Sequence, residues 1–167
     1  MKSILIAIAA LLASTFFASQ GIAEEAGETK VGGGITYQTD GGWLGIEARG
    51  LYYFTDRIAL QPSFNYIIVQ ENDNATTFDF VLAGRYDLVQ MKKLDFYANV
   101  GYQYVYNVQT ILNQDFDASF SALYGAVGVE IPVSSFTVYG EIAFPYTITL
   151  DNNTATANFK VGVYYPL

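Results

Sequence analysis

The chain has 167 residues, 16 acidic and 8 basic groups, a net charge of −8, and neither cysteine nor histidine. The charge balance excludes a nucleic-acid partner, which needs a basic face. The missing residues exclude disulfides, thiolate metal sites and the commonest general base, so no metal or cofactor is expected. Hydrophobic residues make up 51% and charged ones only 14%, against roughly 25% charged in an ordinary soluble domain. That is too apolar for a disordered chain, and the length suits one domain.

Residues 1–23 read as an export signal. Lys2 gives a positive start, and Ile4 to Ala18 is an almost unbroken apolar run of 15 residues. This is shorter than the roughly 20 that a membrane-spanning helix needs. Gly21-Ile22-Ala23 places small residues where a signal peptidase cuts. A short acidic lead, 24–29, follows, and residues 30–167 form the folded part.

From Lys30 onward the chain alternates with period two rather than 3.6, which predicts strands. Eight are expected: Lys30–Gln38, Trp43–Thr55, Arg57–Glu71, Thr76–Leu88, Leu94–Gln109, Phe120–Val133, Phe136–Leu150 and Thr154–Leu167. The connections carry the Asp, Asn, Gly and Ser of hairpin turns, as in Thr39-Asp40-Gly41-Gly42 and Asp151-Asn152-Asn153. All are short enough for antiparallel neighbours, so the topology expected is an up-and-down meander. Pro62 and Pro145 fall inside strands and predict a bulge or a broken ladder at each.

The two faces of each strand separate cleanly. On the fourth, Phe78, Phe80, Leu82, Gly84, Tyr86 and Leu88 oppose Thr77, Asp79, Val81, Ala83, Arg85 and Asp87. Alternation alone fits either a soluble lipocalin-like barrel, apolar inside, or a membrane barrel, apolar outside. The polar face is poor in lysine and rich in Gly, Ala, Ser and Asn, which makes it a weak water-facing surface. Aromatics of the apolar face gather toward strand ends. Tyr52, Phe54, Tyr86, Phe96, Phe136 and Tyr165 mark one rim, and Tyr37, Phe78, Tyr104, Tyr106 and Tyr146 the other. Two such girdles match the two interfaces of a bilayer. The fold class expected is therefore all-β, an eight-stranded antiparallel up-and-down transmembrane β-barrel.

The last ten residues, from Asn158 to Leu167, set Phe159, Val161, Val163, Tyr165 and Leu167 at every second place. This segment resembles the C-terminal strand of Gram-negative outer-membrane β-barrels, though it ends in Leu rather than Phe and has Pro166 next to last. The whole chain resembles the small eight-stranded members, such as the transmembrane domain of outer-membrane protein A and the outer-membrane protein X family. The resemblance implies residence in the outer membrane, contact with its lipids and lipopolysaccharide, and reading of the C-terminal strand by the barrel-assembly machinery. It also implies that inward charges form a plugging ion-pair network. The inward candidates are Glu47, Arg49, Asp79, Arg85, Asp87, Glu130, Glu141 and Lys160. Simple registers set Arg49 opposite Gly32 and Asn65, Arg85 opposite Ser63 and Tyr97, and Glu130 close to Glu141.

Eight strands enclose a lumen just wide enough for side chains to fill, so a packed polar core is expected, with a narrow channel as the alternative. Catalysis is not expected. The small barrel enzymes of the outer membrane resemble one another in needing a catalytic histidine, and a Glu130–Glu141 pair would face a lumen too tight for a glycan. The outer loops carry Asp40, Glu71, Asp73, Asp115, Asp117 and Asp151, which reads as solvated acid or as contact with divalent cations.

Overall fold

A computed structural model describes residues 25–39, 41–69, 75–91, 93–111, 114–147 and 156–167. The candidate signal peptide and most of the loop acids lie outside these residues. Eight strands form one closed antiparallel barrel: β1 (Thr29–Gln38), β2 (Trp43–Tyr53), β3 (Ile58–Val69), β4 (Ala75–Met91), β5 (Leu94–Ile111), β6 (Gln114–Val133), β7 (Phe136–Thr147) and β8 (Asn158–Pro166). Each strand pairs with its sequence neighbours, and β8 closes on β1 through pairs such as Gly34 with Gly162. Closure leaves no sheet edge around the wall.

The apolar parity faces outward. Val100 is 75% exposed and Leu82 44%, while Ala83 and Val81 between the same rungs are buried. The soluble reading with an apolar interior therefore fails. Ring contacts at the barrel ends fall within the two aromatic girdles: Tyr52 with Phe54 and Phe136 with Tyr165 at one, Phe78 with Tyr106 at the other. The start of β1 and the end of β8 share a rim with the short β2–β3, β4–β5 and β6–β7 turns. Outer-membrane barrels place short turns in the periplasm, and the resemblance to them implies that the opposite rim faces outward from the cell.

β8 begins at Asn158, after Thr156 and Ala157, rather than at Thr154, and the elements depart further from the expected ones at β6, β4 and the prolines. β6 begins at Gln114 rather than Phe120, and its pairing with β5 runs without a shift from Asp95–Glu130 to Ile111–Gln114. β6 meets β7 only from Ala122 onward among the described residues, so the β5–β6 hairpin rises above the wall. Residues 116–120 are exposed on both faces of the strand, which is why this stretch looks like a loop in sequence. β4 holds a bulge between Asp87 and Val89, and Leu88 and Val89 both point outward. The two prolines divide: Pro62 locally breaks the β2–β3 ladder, as expected, whereas Pro145 leaves the β6–β7 ladder regular. At Pro62 the β3–β4 ladder is unbroken, and the β2–β3 pairing lapses over Gly50 and Leu51 without a change of register. Those two rungs are the ones that need a backbone donor from residue 62. Pro145 pairs regularly with Tyr124, and it lies just past the last β7–β8 rung, Ala143 with Asn158.

Candidate functional site

The lumen is filled by two charge clusters that side chains from most of the wall assemble. The larger one centres on Arg49 of β2. Its Nη1 and Nη2 donate to Glu141 Oε2 and Oε1, both at 3.0 Å, in the two-pronged geometry that suits a guanidinium and a carboxylate. Nη2 also donates to Glu47 Oε1 at 2.8 Å, and Nη1 to the Tyr164 hydroxyl at 3.2 Å. Lys160 of β8 donates to Glu47 Oε1 at 2.8 Å. Glu141 further accepts from Tyr97 at 3.1 Å, Tyr124 at 2.5 Å and Asn99 Nδ2 at 2.8 Å. Tyr139 donates to Glu47 Oε2 at 2.9 Å.

Glu47 and Glu141 thus balance Arg49 and Lys160 in charge. The Arg49, Glu47 and Glu141 side chains have no solvent-exposed surface. Balance is what makes the arrangement tolerable, since an unpaired charge buried away from bulk water is expensive. Two rings add support: the Arg49 guanidinium lies 4.3 Å from the Tyr139 ring centre, and Lys160 Nζ 5.2 Å from that of Tyr124.

The second cluster lies nearer the periplasmic rim. Arg85 donates to Asp87 Oδ1 at 2.6 Å and bonds to Glu130, which also sits 3.8 Å from Lys30 Nζ. The Arg85 guanidinium stacks 3.9 Å from the Tyr97 ring centre. Asp79 joins neither cluster. It accepts from Asn65 Nδ2 at 2.8 Å, nearer the outer rim.

All eight inward candidates are therefore buried in the lumen, seven of them in the two clusters. Several expected partners are corrected. Arg49 faces Gly32 as expected but Ser63, not Asn65, on β3. Arg85 faces Ala59 and Asn99 rather than Ser63 and Tyr97. Glu141 pairs with Gly128 and Glu130 with Tyr139, so the two glutamates join different clusters and form no acid/base couple. Each change shifts the register by an even number of residues, which keeps the face and changes the partner.

Sequence reasoning missed the roles of Lys30 and of the tyrosines that bridge the clusters. Their inward parity was the available signal. It also missed the room those tyrosines need. Gly34 and Gly162 are paired on β1 and β8, and a Cβ on either would run into the Tyr139 hydroxyl. Gly128 gives the same clearance to Tyr97.

The C-terminal residues Phe159, Tyr165 and Leu167 are exposed and Val161 and Val163 half-buried, all on the outer face. Of the loop acids, Asp117 is exposed on the protruding hairpin; Asp40, Glu71, Asp73 and Asp151 and the side chain of Asp115 lie outside the described residues. Among the described residues no acidic cluster has the make-up of a metal site.

The architecture recurs in solved structures. The N-terminal β-barrel domain of Pseudomonas aeruginosa OprF superposes with a TM-score of 0.70 at 12% identity, covering 86% of this chain and 100% of that one. OprG from the same organism gives 0.61 at 12% identity, covering 89% and 99%. Ail, the attachment invasion locus protein of Yersinia pestis, gives 0.58 at 15% identity, covering 85% and 99%. At these identities the likeness is one of fold. No curated protein matches by sequence. The sequence model described as "Outer membrane protein beta-barrel domain" matches residues 8–166, nearly the whole chain. The chain belongs to that family and is a protein of the outer membrane.

Proposed function

We propose that this protein is a closed integral barrel with a structural, envelope-stability or surface-interaction role, and that it neither catalyses a reaction nor conducts solutes. The observation that carries the reading is the Arg49–Glu141–Glu47–Lys160 cluster, which ties β2, β7 and β8 together across the lumen. Tyr97, Tyr124, Tyr139 and Tyr164 are buried around it and occupy the remaining cross-section. An eight-stranded barrel has little interior beyond what such side chains fill.

The outward apolar belt faces lipid, and lipopolysaccharide at the outer leaflet is the expected neighbour. The alternating outward residues of β8 suit recognition by the barrel-assembly machinery. Catalysis lacks support because Glu130 and Glu141 are each neutralised within separate clusters and face no cavity that could hold a substrate between them.

Planar-bilayer recording of the purified full chain tests the reading. It should show no steady unitary currents. Reproducible, ion-selective steps would replace the closed barrel with the narrow-channel alternative.

A further inference from the structure

The lipid-facing wall is not uniformly convex. Across β6, β7 and β8 it carries a furrow of about 530 Å³. Val129, Gly140 and Val161 form one outward rung across these strands, and Val127, Ile142 and Phe159 form the next. Gly140 gives the furrow its depth: a Cβ there would meet only Val129 Cγ2, at 3.8 Å, among the described residues. Glu141 and Lys160 lie between the rungs with their side chains buried in the lumen, so they offer the furrow backbone alone. Phe96, paired with Val129, bounds one end, and Tyr37, paired with Phe159, bounds the other. Those two rings belong to opposite girdles.

We propose that this furrow holds one acyl chain of a phospholipid from the periplasmic leaflet, more tightly than the rest of the wall holds its lipid. The furrow is continuous with the apolar belt that faces the bilayer, so hydrocarbon covers it. Apolar burial alone gives no preference there, because a lipid tail is as apolar as leucine. What differs is contact. A chain in the furrow has wall atoms on three sides rather than one, and dispersion accumulates pair by pair. A flexible chain also follows a furrow that bends round the barrel. A second barrel presents a convex wall, which would bridge the two rungs and leave the space over Gly140 empty. Depth selects the leaflet. Gly140 lies four residues beyond Phe136, the start of β7, and Val129 four before Val133, the end of β6; both ends are at the short-turn rim. At the tilt of a small barrel each residue climbs roughly 2.5 Å, so the floor stands about 10 Å above that rim. That is the lower half of an apolar band about 25 Å tall, the periplasmic half in the orientation the family implies. The proposal rests on the wall lying in hydrocarbon and is indifferent to whether the lumen conducts.

Photolabelling tests it. The full chain is refolded into phosphatidylcholine vesicles that carry a small share of the same lipid with a diazirine on one chain, either beside the ester or at the chain end. After irradiation the labelled residues are mapped by mass spectrometry. Val129, Ile142 and Val161 should be labelled about fivefold more than Leu60 and Phe64 on the opposite wall, the ratio that roughly 1 kcal/mol of preference gives. The ester-side probe should favour the Phe96 end and the chain-end probe the Tyr37 end. Gly140→Phe should lower furrow labelling to the level of the opposite wall, with Gly140→Leu as the second variant should the first fail the heat-shift test for a folded barrel. Gly84→Phe should leave it unchanged, since that outward glycine lies on β4, where a Cβ meets only Val100 O, at 3.8 Å. Even labelling round the barrel would overturn the proposal, as would labelling that survives the filling of Gly140. The two probes in reversed order would give the furrow to a lipid of the outer leaflet. Cross-links between barrels at Val129 or Val161, lost on filling Gly140, would give it to a second copy. Either result would overturn the assignment made here.

Discussion

Among the described residues Glu141 accepts five hydrogen bonds in the lumen. It receives both prongs of Arg49, two tyrosine hydroxyls and the Asn99 amide. Removing it leaves Arg49 and Lys160 to share Glu47 and strips Tyr97, Tyr124 and Asn99 of their acceptor. Glu141→Ala should therefore cost about 3–5 kcal/mol, the range for breaking a buried pair on one side only. Adding Arg49→Met to it should cost less than the sum of the two single changes, because no orphaned guanidinium remains. Denaturant unfolding of the four proteins of this cycle in lipid vesicles gives both numbers. A Glu141→Ala cost below about 1 kcal/mol would mean that the carboxylate is not an organising centre.

Strands and their contacts carry the next level. β1 and β8 close the barrel where glycine meets glycine, Gly34 opposite Gly162, and the Tyr139 ring from β7 occupies the space that two side chains would have taken. Gly162→Ala should push that ring off Glu47 and cost roughly 1–3 kcal/mol, the usual cost of overfilling a packed site. Thermal unfolding followed by the boiled-against-unboiled mobility shift would register it, and an unchanged midpoint would mean that the seam is looser than described. On the other face of the wall, Leu82→Arg or Val100→Arg should cost roughly 2–4 kcal/mol at mid-membrane. Unfolding in bilayers measures that cost, and a cost near zero would place those residues in water.

The same level shows how far the sequence could be read. Period-two alternation put the eight candidate charges on the correct face, because a strand offers only two, though Lys30, also inward, was not among them. It could not assign partners, because a slip of two residues preserves the face. Arg49 therefore met Ser63 and Arg85 met Asn99, and the two glutamates belong to different clusters. The bulge at Leu88 leaves two consecutive apolar residues facing out, Leu88 and Val89, a doublet the sequence shows without saying which strand position absorbs it. The rise of β6 from Gln114 was hidden by residues such as Asp115, Asp117 and Ser119, whose composition is that of a turn and whose backbone is a paired strand.

For the whole molecule, one inversion underlies every result: apolar residues face lipid, while the interior is polar, charge-paired and filled. The C-terminal strand and the girdles both depend on it. Single cysteines test it, since the chain contains none of its own. Cysteines are placed at the outward positions 82 and 100, at the lumen positions 83 and 143, and at 117 on the exposed hairpin, in protein reconstituted into bilayers. Each is offered a thiol probe confined to the hydrocarbon and a small water-soluble one. Positions 82 and 100 should react only with the bilayer-confined probe, 117 only with the aqueous one, and 83 and 143 with neither, because the lumen is closed around them. Aqueous labelling of 83 or 143 at the rate of 117 would contradict the filled interior, and equal labelling of 82 and 83 from the lipid phase would contradict the orientation of the wall itself.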